Sequence, residues 1–327
     1  MKKVNVAVIG ATGMVGMTIL KVMEERGFPV NNLYLFASSK SKGKKVVFKN
    51  EEYTVEELNK DCFCRDIDIA LFSAGGGISK KYAPIAKEKG IIVVDNSSAW
   101  RMDDTVPLIV PEVNASSIKN HKNIIANPNC STIQSVIPLK PLEDNFGIKR
   151  VVFSTYQAVS GSGIGGLTDL EKGIKGENGE LYPYPIAYNC LPHIDSFIEN
   201  GYTKEEMKMI LETQKILNNQ NIKITATTVR VPVKYGHCVS VNVELKKDFK
   251  LDEIRKSLEE QEGVIILDNI SKNLYPTALD VEGKDKVYVG RIRRDFSVDN
   301  GLNLWIVADN IRKGAATNTV QIAELLI

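Results

Sequence analysis

Val4-Asn5-Val6-Ala7-Val8-Ile9 runs directly into Gly10-Ala11-Thr12-Gly13-Met14-Val15-Gly16, and the residues from about Met14 to Glu25 continue with helical character. The first six residues read as a short buried strand. Strand, glycine turn and helix in that order form the context a phosphate loop requires. Gly10 permits the sharp turn, Gly13 lets the backbone approach a pyrophosphate, Gly16 allows the helix to pack close to the strand, and the helix N-terminus receives the anion. The spacing is a variant of the usual dinucleotide fingerprint. A glycine-rich turn with no ligand is the other reading of these residues.

Working outward, a second strand is expected at Leu33 to Phe36. A site that prefers NAD commonly ends this strand with an acidic residue bonding the ribose hydroxyls. Here it runs instead into Ala37-Ser38-Ser39-Lys40-Ser41-Lys42-Gly43. Hydroxyls and cations suit a 2′-phosphate, so NADP is expected over NAD; a solvated polar loop is the plainer alternative. Strands follow at Ile67 to Ser73, Ile91 to Asp95 and Ile124 to Ala126, with a helix near Ser79 to Lys89. Alternation of this kind implies right-handed crossovers and a parallel sheet. Ala74-Gly75-Gly76-Gly77 and Asn96-Ser97-Ser98 lie just past strand ends, where open α/β sheets bind ligands. The fold class is therefore α/β, a Rossmann-type doubly wound parallel sheet, with an α+β domain to follow.

A chain of 327 residues is long enough for two domains with real cores. Lys plus Arg number 42 against 40 Asp plus Glu, a formal charge of +2 with no long run of one sign. That balance gives no electrostatic argument for nucleic acid, and a small soluble partner is expected. The five cysteines, Cys62, Cys64, Cys130, Cys190 and Cys238, are scattered and odd in number. They are expected to be reduced thiols of a cytoplasmic protein. No metal site is expected, because Cys62 and Cys64 have no second ligand pair nearby. Met1-Lys2-Lys3 before an apolar stretch imitates a secretory signal, but the glycine spacing and Lys21, Glu24 and Glu25 argue against one, and no stretch approaches a membrane span.

Cys130 lies in Asn127-Pro128-Asn129-Cys130-Ser131-Thr132, a turn that opens onto the helix-like run from Ile133. A thiol at a helix N-terminus meets amide N–H groups and the positive end of the dipole, so more thiolate is expected than for a free cysteine of pKa roughly 8.5. A small buried residue opening a core helix is the plainer reading. In the second half, Val151 to Tyr156 reads as a strand ending in the glycine-rich segment Gln157 to Gly166. Thr203 to Leu217 reads as a helix, with Thr203 and Glu206 forming a capping box and Met207, Ile210, Leu211 and Leu217 an apolar stripe. Glu205 and Lys208 are spaced as a solvated ion pair. In Thr225 to Val233 the valines 229, 231 and 233 face one way and Arg230 the other; His237 then opens a strand through Leu245. Arg230 suits a carboxylate and His237 a proton transfer, or each is a structural residue. His121 and His193 are expected to be structural.

Together these motifs resemble the aspartate-semialdehyde dehydrogenases. The likeness runs nearly end to end, through Gly10 to Gly16, Ser38 to Ser41, Asp95 to Arg101, Asn127 to Thr132, Thr155 to Gly161, Glu205 to Lys208, Arg230 to Val233, Gly236-His237, and Asp309-Asn310 before Lys313-Gly314-Ala315-Ala316. The resemblance implies NADPH-dependent reduction of β-aspartyl phosphate in lysine, threonine, methionine and diaminopimelate biosynthesis. By it Cys130 is the acyl-accepting nucleophile and His237 the acid/base. Gln157 helps hold the acyl group, Arg230 grips the α-carboxylate, Glu205 the amino group, and Arg101, Lys208 and Asn129 the phosphate. NADP falls to Gly10, Thr12, Gly13, Met14, Val15, Ser38, Lys40, Ser41, Ser73, Gly75, Ser160, Gly161 and Asn310. Lys40 stands where many relatives carry arginine, and the stretch after Glu171 is short. The implied architecture is an NADP-binding domain over residues 1–130, completed by 309–327 with a helix at Ala315 to Leu326, and a catalytic and dimerisation domain over 131–308. The implied assembly is a homodimer, with a tetramer open. An N-acetylglutamyl-phosphate reductase would share the thiol chemistry on a longer substrate, although Glu205 beside Arg230 favours a free α-amino group. A non-catalytic NADP-binding regulator would need no reactive cysteine.

Overall fold

A computed structural model describes residues 3–327. The chain divides into two compact units, one built from the chain up to Pro128 together with Ala315–Ile327, the other from Asn129–Gly314.

The first unit carries β1 (Val4–Ile9), α1 (Met14–Glu25), β2 (Val30–Ala37), a hairpin of β3 (Lys45–Phe48) and β4 (Glu51–Thr54), β5 (Glu56–Glu57), β6 (Ile69–Phe72), α2 (Gly76–Glu88), β7 (Ile92–Asp95), a single turn α3 (Pro111–Asn114) and β8 (Ile124–Ala126). Its main sheet has the order β5-β2-β1-β6-β7-β8, every pair parallel. All six residues of β1 are buried, which is why this strand reads as an apolar run and not as an alternation. Strand order reverses between β1 and β6, and at such a switch point ligands bind beyond the strand ends. Gly10 there has φ +86°, and a Cβ on it would lie 2.9 Å from the Ser73 carbonyl oxygen; a Cβ on Gly16 would lie 2.2 Å from the Gly10 carbonyl. No other residue fits either place. The second helix begins at Gly76, three residues before Ser79, because Gly75 at φ +86° turns the chain at the end of β6.

The second unit contains α4 (Cys130–Phe146), β9 (Ile148–Gln157), α5 (Gly163–Ile174), α6 (Lys204–Ile216), β10 (Lys223–Arg230), β11 (His237–Leu245), α7 (Leu251–Glu260), β12 (Val264–Ile266), a turn α8 (Ala278–Val281), β13 (Val287–Asp295) and β14 (Gly301–Ala308). The strands form one mixed sheet in the order β10-β9-β11-β14-β13-β12. Along β11, Val239, Val241, Val243 and Leu245 are buried while Ser240, Asn242 and Glu244 are partly open. Helix α4 packs on this sheet and against α6 and α7. The opposite face is open, with Tyr156 exposed and its ring tilted against that of Trp305 at 5.5 Å between centroids.

Three expectations need correction. The unit boundary falls after Pro128, two residues before the expected one, because Asn129 is the N-cap of α4 and goes with its helix. The returning segment starts at Ala315 and not at 309. Asp309 accepts from Gly283 at 2.8 Å, Asn310 pairs with Ser160, and Arg312 binds Asp285 at 2.8 Å, all within the second unit. The helix read over Ala315 to Leu326 is α-helical only in α9 (Thr317–Glu324), after a π-helical turn at Arg312–Ala316. That turn is set where the Asp309 carbonyl takes the Gly314 N–H, five residues on. Val320, Ile322 and Ala323 then join the core of the first unit.

Candidate active site

Cys130 is the first residue of α4, half-buried, and no cysteine forms a disulfide among the described residues. The Asn129 side-chain oxygen accepts from the amides of Ser131 at 3.0 Å and Thr132 at 3.2 Å, satisfying two N–H groups of the helix start. Its Nδ2 donates to Glu205 at 2.8 Å, and its backbone N–H to Glu212 at 2.7 Å. On the other side Gly314 comes so close that a Cβ there would lie 2.8 Å from that of Cys130. The helix end that carries the thiol is therefore held from three directions.

Glu205 is the hub of this arrangement. It is buried, and besides Asn129 it accepts from Gln157 Nε2 at 3.2 Å and Lys208 Nζ at 3.0 Å. Burial pushes its pKa up, but the Lys208 charge and the donors from Asn129, Lys208 and Gln157 outweigh that and hold it below the ordinary carboxylate value. Lys208, against its own burial, is held above the usual lysine value by Glu205 and Asp195, the latter at 2.8 Å. The pair is thus charged, yet it is not the solvated pair that spacing suggests. The expected apolar stripe of α6 holds only at Leu217, buried just past the helix end: Met207 and Ile210 are half-buried, Leu211 is exposed, and the helix buries Glu205, Glu206, Met209, Glu212, Thr213 and Ile216. The capping box is present as expected, with Glu206 accepting from Thr203 N–H at 2.7 Å.

Strand register gathers the remaining groups. Arg230, the last residue of β10, pairs with Gln157, the last of β9, in parallel register. Antiparallel β11 pairs Cys238 with Tyr156, which sets His237 beside the same end. The strand expected to reach Val233 stops at Arg230, with Val231 N–H turned to the Gln157 carbonyl and Pro232 unable to donate. Gln157 is oriented from both ends, its Oε1 accepting from Thr155 Oγ1 at 3.0 Å. Arg230 Nη1 donates to the Ala158 carbonyl at 2.7 Å. His237 is fully buried; its Nδ1 accepts from Ala158 N–H at 2.9 Å, and its carbonyl accepts from Gln134 Nε2 at 3.0 Å. Burial, and the Arg230 charge after it, hold the His237 pKa well below the usual histidine value. Ser160 Oγ and Asn310 Nδ2 lie 3.0 Å apart, and Asn310 Oδ1 accepts from Gly236 N–H at 3.0 Å.

Within the first unit, helix α1 starts after Gly13 with no side-chain cap and no acidic residue in its first turn. Such a terminus, together with glycines that admit no Cβ, fits a pyrophosphate. Thr12 Oγ1 donates to Ser41 Oγ at 3.0 Å, tying the glycine loop to the turn after β2; Ser38 and Lys40 there are exposed. Arg101 is buried, its Nε on the Asn127 carbonyl at 2.9 Å and its Nη2 on the Asn96 carbonyl at 2.8 Å. Asn318 of α9 donates to Asn127 Oδ1 at 2.7 Å, and Thr319 to Asn96 Oδ1 at 2.7 Å, so the returning helix braces that support. Gln134, Ala158, Glu212 and Asn318 carry no local signal in the sequence, because each acts through a long-range contact. Among the described residues no group of three or more potential metal ligands gathers, and no helix is long and apolar enough to cross a membrane.

A parallel nucleotide-type sheet joined to a mixed sheet with these polar groups at one edge is the build of a semialdehyde dehydrogenase. A model described as "Semialdehyde dehydrogenase, NAD binding domain" matches residues 5–121, and one described as "Semialdehyde dehydrogenase, dimerisation domain" matches 139–313. The chain is 56% identical over 332 residues to the aspartate-semialdehyde dehydrogenase of Aquifex aeolicus, covering 99% of this chain and 98% of that one. The crystal structure of aspartate semialdehyde dehydrogenase II from Vibrio cholerae, complexed with ASA, has a TM-score of 0.94 at 48% identity, covering 100% of this chain and 98% of that one. The Candida albicans enzyme with NADP has a TM-score of 0.78 at 25% identity, covering 99% of this chain and 98% of that one. The chain belongs to the aspartate-semialdehyde dehydrogenase family and is an oxidoreductase with a nicotinamide-nucleotide-binding domain.

Proposed function

We propose that this enzyme reduces β-aspartyl phosphate to aspartate β-semialdehyde and phosphate, reversibly, through a thioester on Cys130, with NADPH as reductant and with the product entering lysine, threonine, methionine and diaminopimelate synthesis. The observation that carries the proposal is the convergence of a thiol at a capped helix start, a buried charged carboxylate, and Gln157, Arg230 and His237 side by side at one end of a sheet. Cys130 attacks the acyl carbon and expels phosphate, which splits the reaction at a covalent intermediate. NADPH, when bound by the Gly10–Val15 loop, supplies hydride to the thioester carbonyl. Gln157 steadies the acyl group, Arg230 takes the α-carboxylate, Glu205 faces the ammonium, and Arg101, Lys208 and Asn129 serve the phosphate. His237 serves as the general acid/base at the acyl oxygen. Cys130→Ala is expected to abolish phosphate-dependent NADP reduction with aspartate semialdehyde while NADPH binding persists. Full turnover in that variant would refute the thioester.

Preference for NADPH follows from Thr12, Ser38, Lys40 and Ser41, with Ser73, Gly75, Ser160, Gly161 and Asn310 completing the cofactor's contacts. Hydroxyls and a cation stand where an NAD site carries an acid. Lysine supplies charge without a bidentate fork, so Lys40→Ala should weaken NADPH about tenfold and leave NADH unchanged. An NADH preference in the parent enzyme would overturn this assignment. Residues 139–313 match a dimerisation domain, and the open face around Tyr156 and Trp305 is the surface we assign to a homodimer. A monomer in sedimentation velocity would exclude it.

A further inference from the structure

Lys208 carries two carboxylates on one ammonium. From its own helix Glu205 Oε2 accepts at 3.0 Å, and from the turn before α6 Asp195 Oδ2 accepts at 2.8 Å. The two acids are held very differently. Glu205 is only 7% exposed and also takes Asn129 and Gln157, so withdrawing Lys208 would leave a buried charge short of partners. Asp195 is 36% exposed. Its Oδ1 takes the Ser196 N–H at 2.8 Å, and among the described residues its Oδ2 rests on Lys208 alone. Partial burial works against its charge, but Lys208 and the Ser196 N–H hold its carboxyl below the usual carboxylate range. The turn itself is pinned at both ends. Leu191 exchanges two backbone hydrogen bonds with Arg230, at 2.9 and 2.8 Å, and the Ser196 carbonyl accepts from Lys204 N–H at 2.9 Å. Either side of Asp195 in the chain, the His193 and Phe197 rings stack at 4.3 Å. Asp195 has φ +66°, the left-handed region that Asp and Asn tolerate better than other side chains. The main chain therefore keeps its place, and only the Asp195 side chain can turn away to water.

We infer that Asp195 is a resident counter-ion of Lys208 that gives way to the phosphate group of the substrate, and that by this competition it sets how weakly the enzyme holds free phosphate. This rests on the reading of Lys208 as a phosphate ligand and deepens it. An acyl phosphate, like a phosphorylated side chain, carries close to two negative charges. On reaching Lys208 it meets Asp195 as a like charge beside the same cation, and the two cannot share it without repulsion. Asp195 is the acid that yields, because its carboxylate stands at the edge of water and is rehydrated as it turns, whereas Glu205 would be stranded in the interior. One anion replaces another, so Lys208 is matched by two acidic groups before and after the exchange. When phosphate departs, Asp195 returns, and release does not leave the ammonium with Glu205 alone. Affinity surrendered at the phosphate leaves recognition of the substrate to its amino and carboxylate groups. Inorganic phosphate has neither, and it is kept from holding the site by itself.

Asp195→Asn removes the charge, keeps an acceptor for the Ser196 N–H and suits the left-handed backbone. Asp195→Gly removes the side chain altogether, at a positive φ that glycine adopts without strain. The assay is phosphate-dependent NADP reduction with aspartate semialdehyde, and the probe is orthophosphate. In both variants KM for orthophosphate is expected to fall about three- to fivefold, the upper range for a partly exposed ion pair. KM for aspartate semialdehyde should stay within about twofold of the parent, since the competition is at the phosphate alone. In the reductive direction orthophosphate should inhibit both variants at correspondingly lower concentration. The sign of the change separates this role from a structural one, because a residue that merely orients Lys208 would raise KM for phosphate when removed. An unchanged or raised KM for phosphate in the two variants overturns the inference. Lys208→Ala tests the reading beneath it. If Lys208 binds phosphate, that variant raises KM for phosphate, and adding Asp195→Asn to it lowers KM no further, as expected of coupled neighbours. An equal fall in both backgrounds would place the effect elsewhere and also overturn the counter-ion role. Lys208→Ala with the parental KM for phosphate defeats the phosphate reading itself, whereas a raised KM there with no fall in the Asp195 variants defeats the counter-ion role alone.

Discussion

Replacing Glu205 by glutamine removes one charge and almost no volume, so it isolates what the carboxylate contributes. In the native arrangement the two oxygens accept from Asn129 at 2.8 Å, Lys208 at 3.0 Å and Gln157 at 3.2 Å. An amide keeps one acceptor oxygen and presents an NH2 group to the remaining donors. Asn129 and Gln157 share Oε1 while Lys208 is on Oε2, so with the amide oxygen turned to the Lys208 ammonium one hydrogen bond survives and two are lost, the NH2 group meeting Asn129 and Gln157 as donor against donor. Hydrogen bonds to a charged group are worth about 1.5–3 kcal/mol each. Lys208 softens the loss, because its side chain is 23% exposed and it retains Asp195 at 2.8 Å. The net cost should be about 2–4 kcal/mol, below the 3–5 kcal/mol of a fully buried broken pair. Asn129, once released by Glu205, caps α4 less firmly. The Ser131 and Thr132 amides that it caps should therefore exchange with solvent about 30- to 1000-fold faster, at tenfold per 1.4 kcal/mol, if they exchange by local opening. Hydrogen exchange followed residue by residue reads this directly, and kcat should fall with it because Cys130 loses its fixed position. Native protection at both amides together with kcat within about twofold of the parent would refute the hub role of Glu205.

Two further outcomes follow from the titrating groups of β11. His237 is held well below its ordinary value of 6.5 by burial and by Arg230. The unfolded chain therefore binds a proton that the folded chain refuses. The stabilising difference is present in full above the unfolded value and is lost as pH falls below it toward the folded value, at up to about 1.4 kcal/mol per pH unit. Denaturation midpoints on the acid side should fall less steeply in His237→Asn than in the parent; parallel acid limbs would contradict the assignment. The neighbouring Cys238 is pushed up to about 12 by burial. It should resist iodoacetamide at neutral pH while Cys130 reacts, as peptide mapping would show, and modification of Cys238 in the folded protein before Cys130 would count against both.

What could be read from sequence is what local chemistry dictates. Helix α1 and strands β8 and β11 begin and end where glycine, proline and the alternation of valines place them. Thr203 and Glu206 form their reciprocal cap as the spacing requires. Legibility fails where a polar residue is buried by partners far away in the chain. The helical period in α6 points to Met207, Ile210 and Leu211 as the inner face, since apolar residues usually go inside. The helix instead turns Glu205 and Glu212 inward, because Asn129 offers one of them an amide and the other a backbone N–H. Those donors lie more than seventy positions away, and no window of α6 contains them. The π-turn before α9 is hidden in part for the same reason, since the pairing of Asp309 with Gly283 and of Arg312 with Asp285 holds the segment that forms it.

The register of β9, β10 and β11 ties these long-range effects to chemistry. Gln157 and Arg230 end parallel neighbours in matched register, and His237 begins the antiparallel strand on the other side. Three groups scattered over eighty positions of chain thus become adjacent through backbone pairing alone, before any side chain chooses a rotamer. Side-chain direction in a strand has period two, so slipping β11 by one residue would bring Cys238 to the place of His237 and turn the imidazole to the open face. The buried row of Val239, Val241, Val243 and Leu245 forbids that slip, because it would expose all four. An alternation that on its face only packs a core therefore also aims the histidine. The constraint extends to Ala158, whose amide can reach Nδ1 only in this register. A residue with no functional side chain belongs to the site because the sheet puts its backbone there.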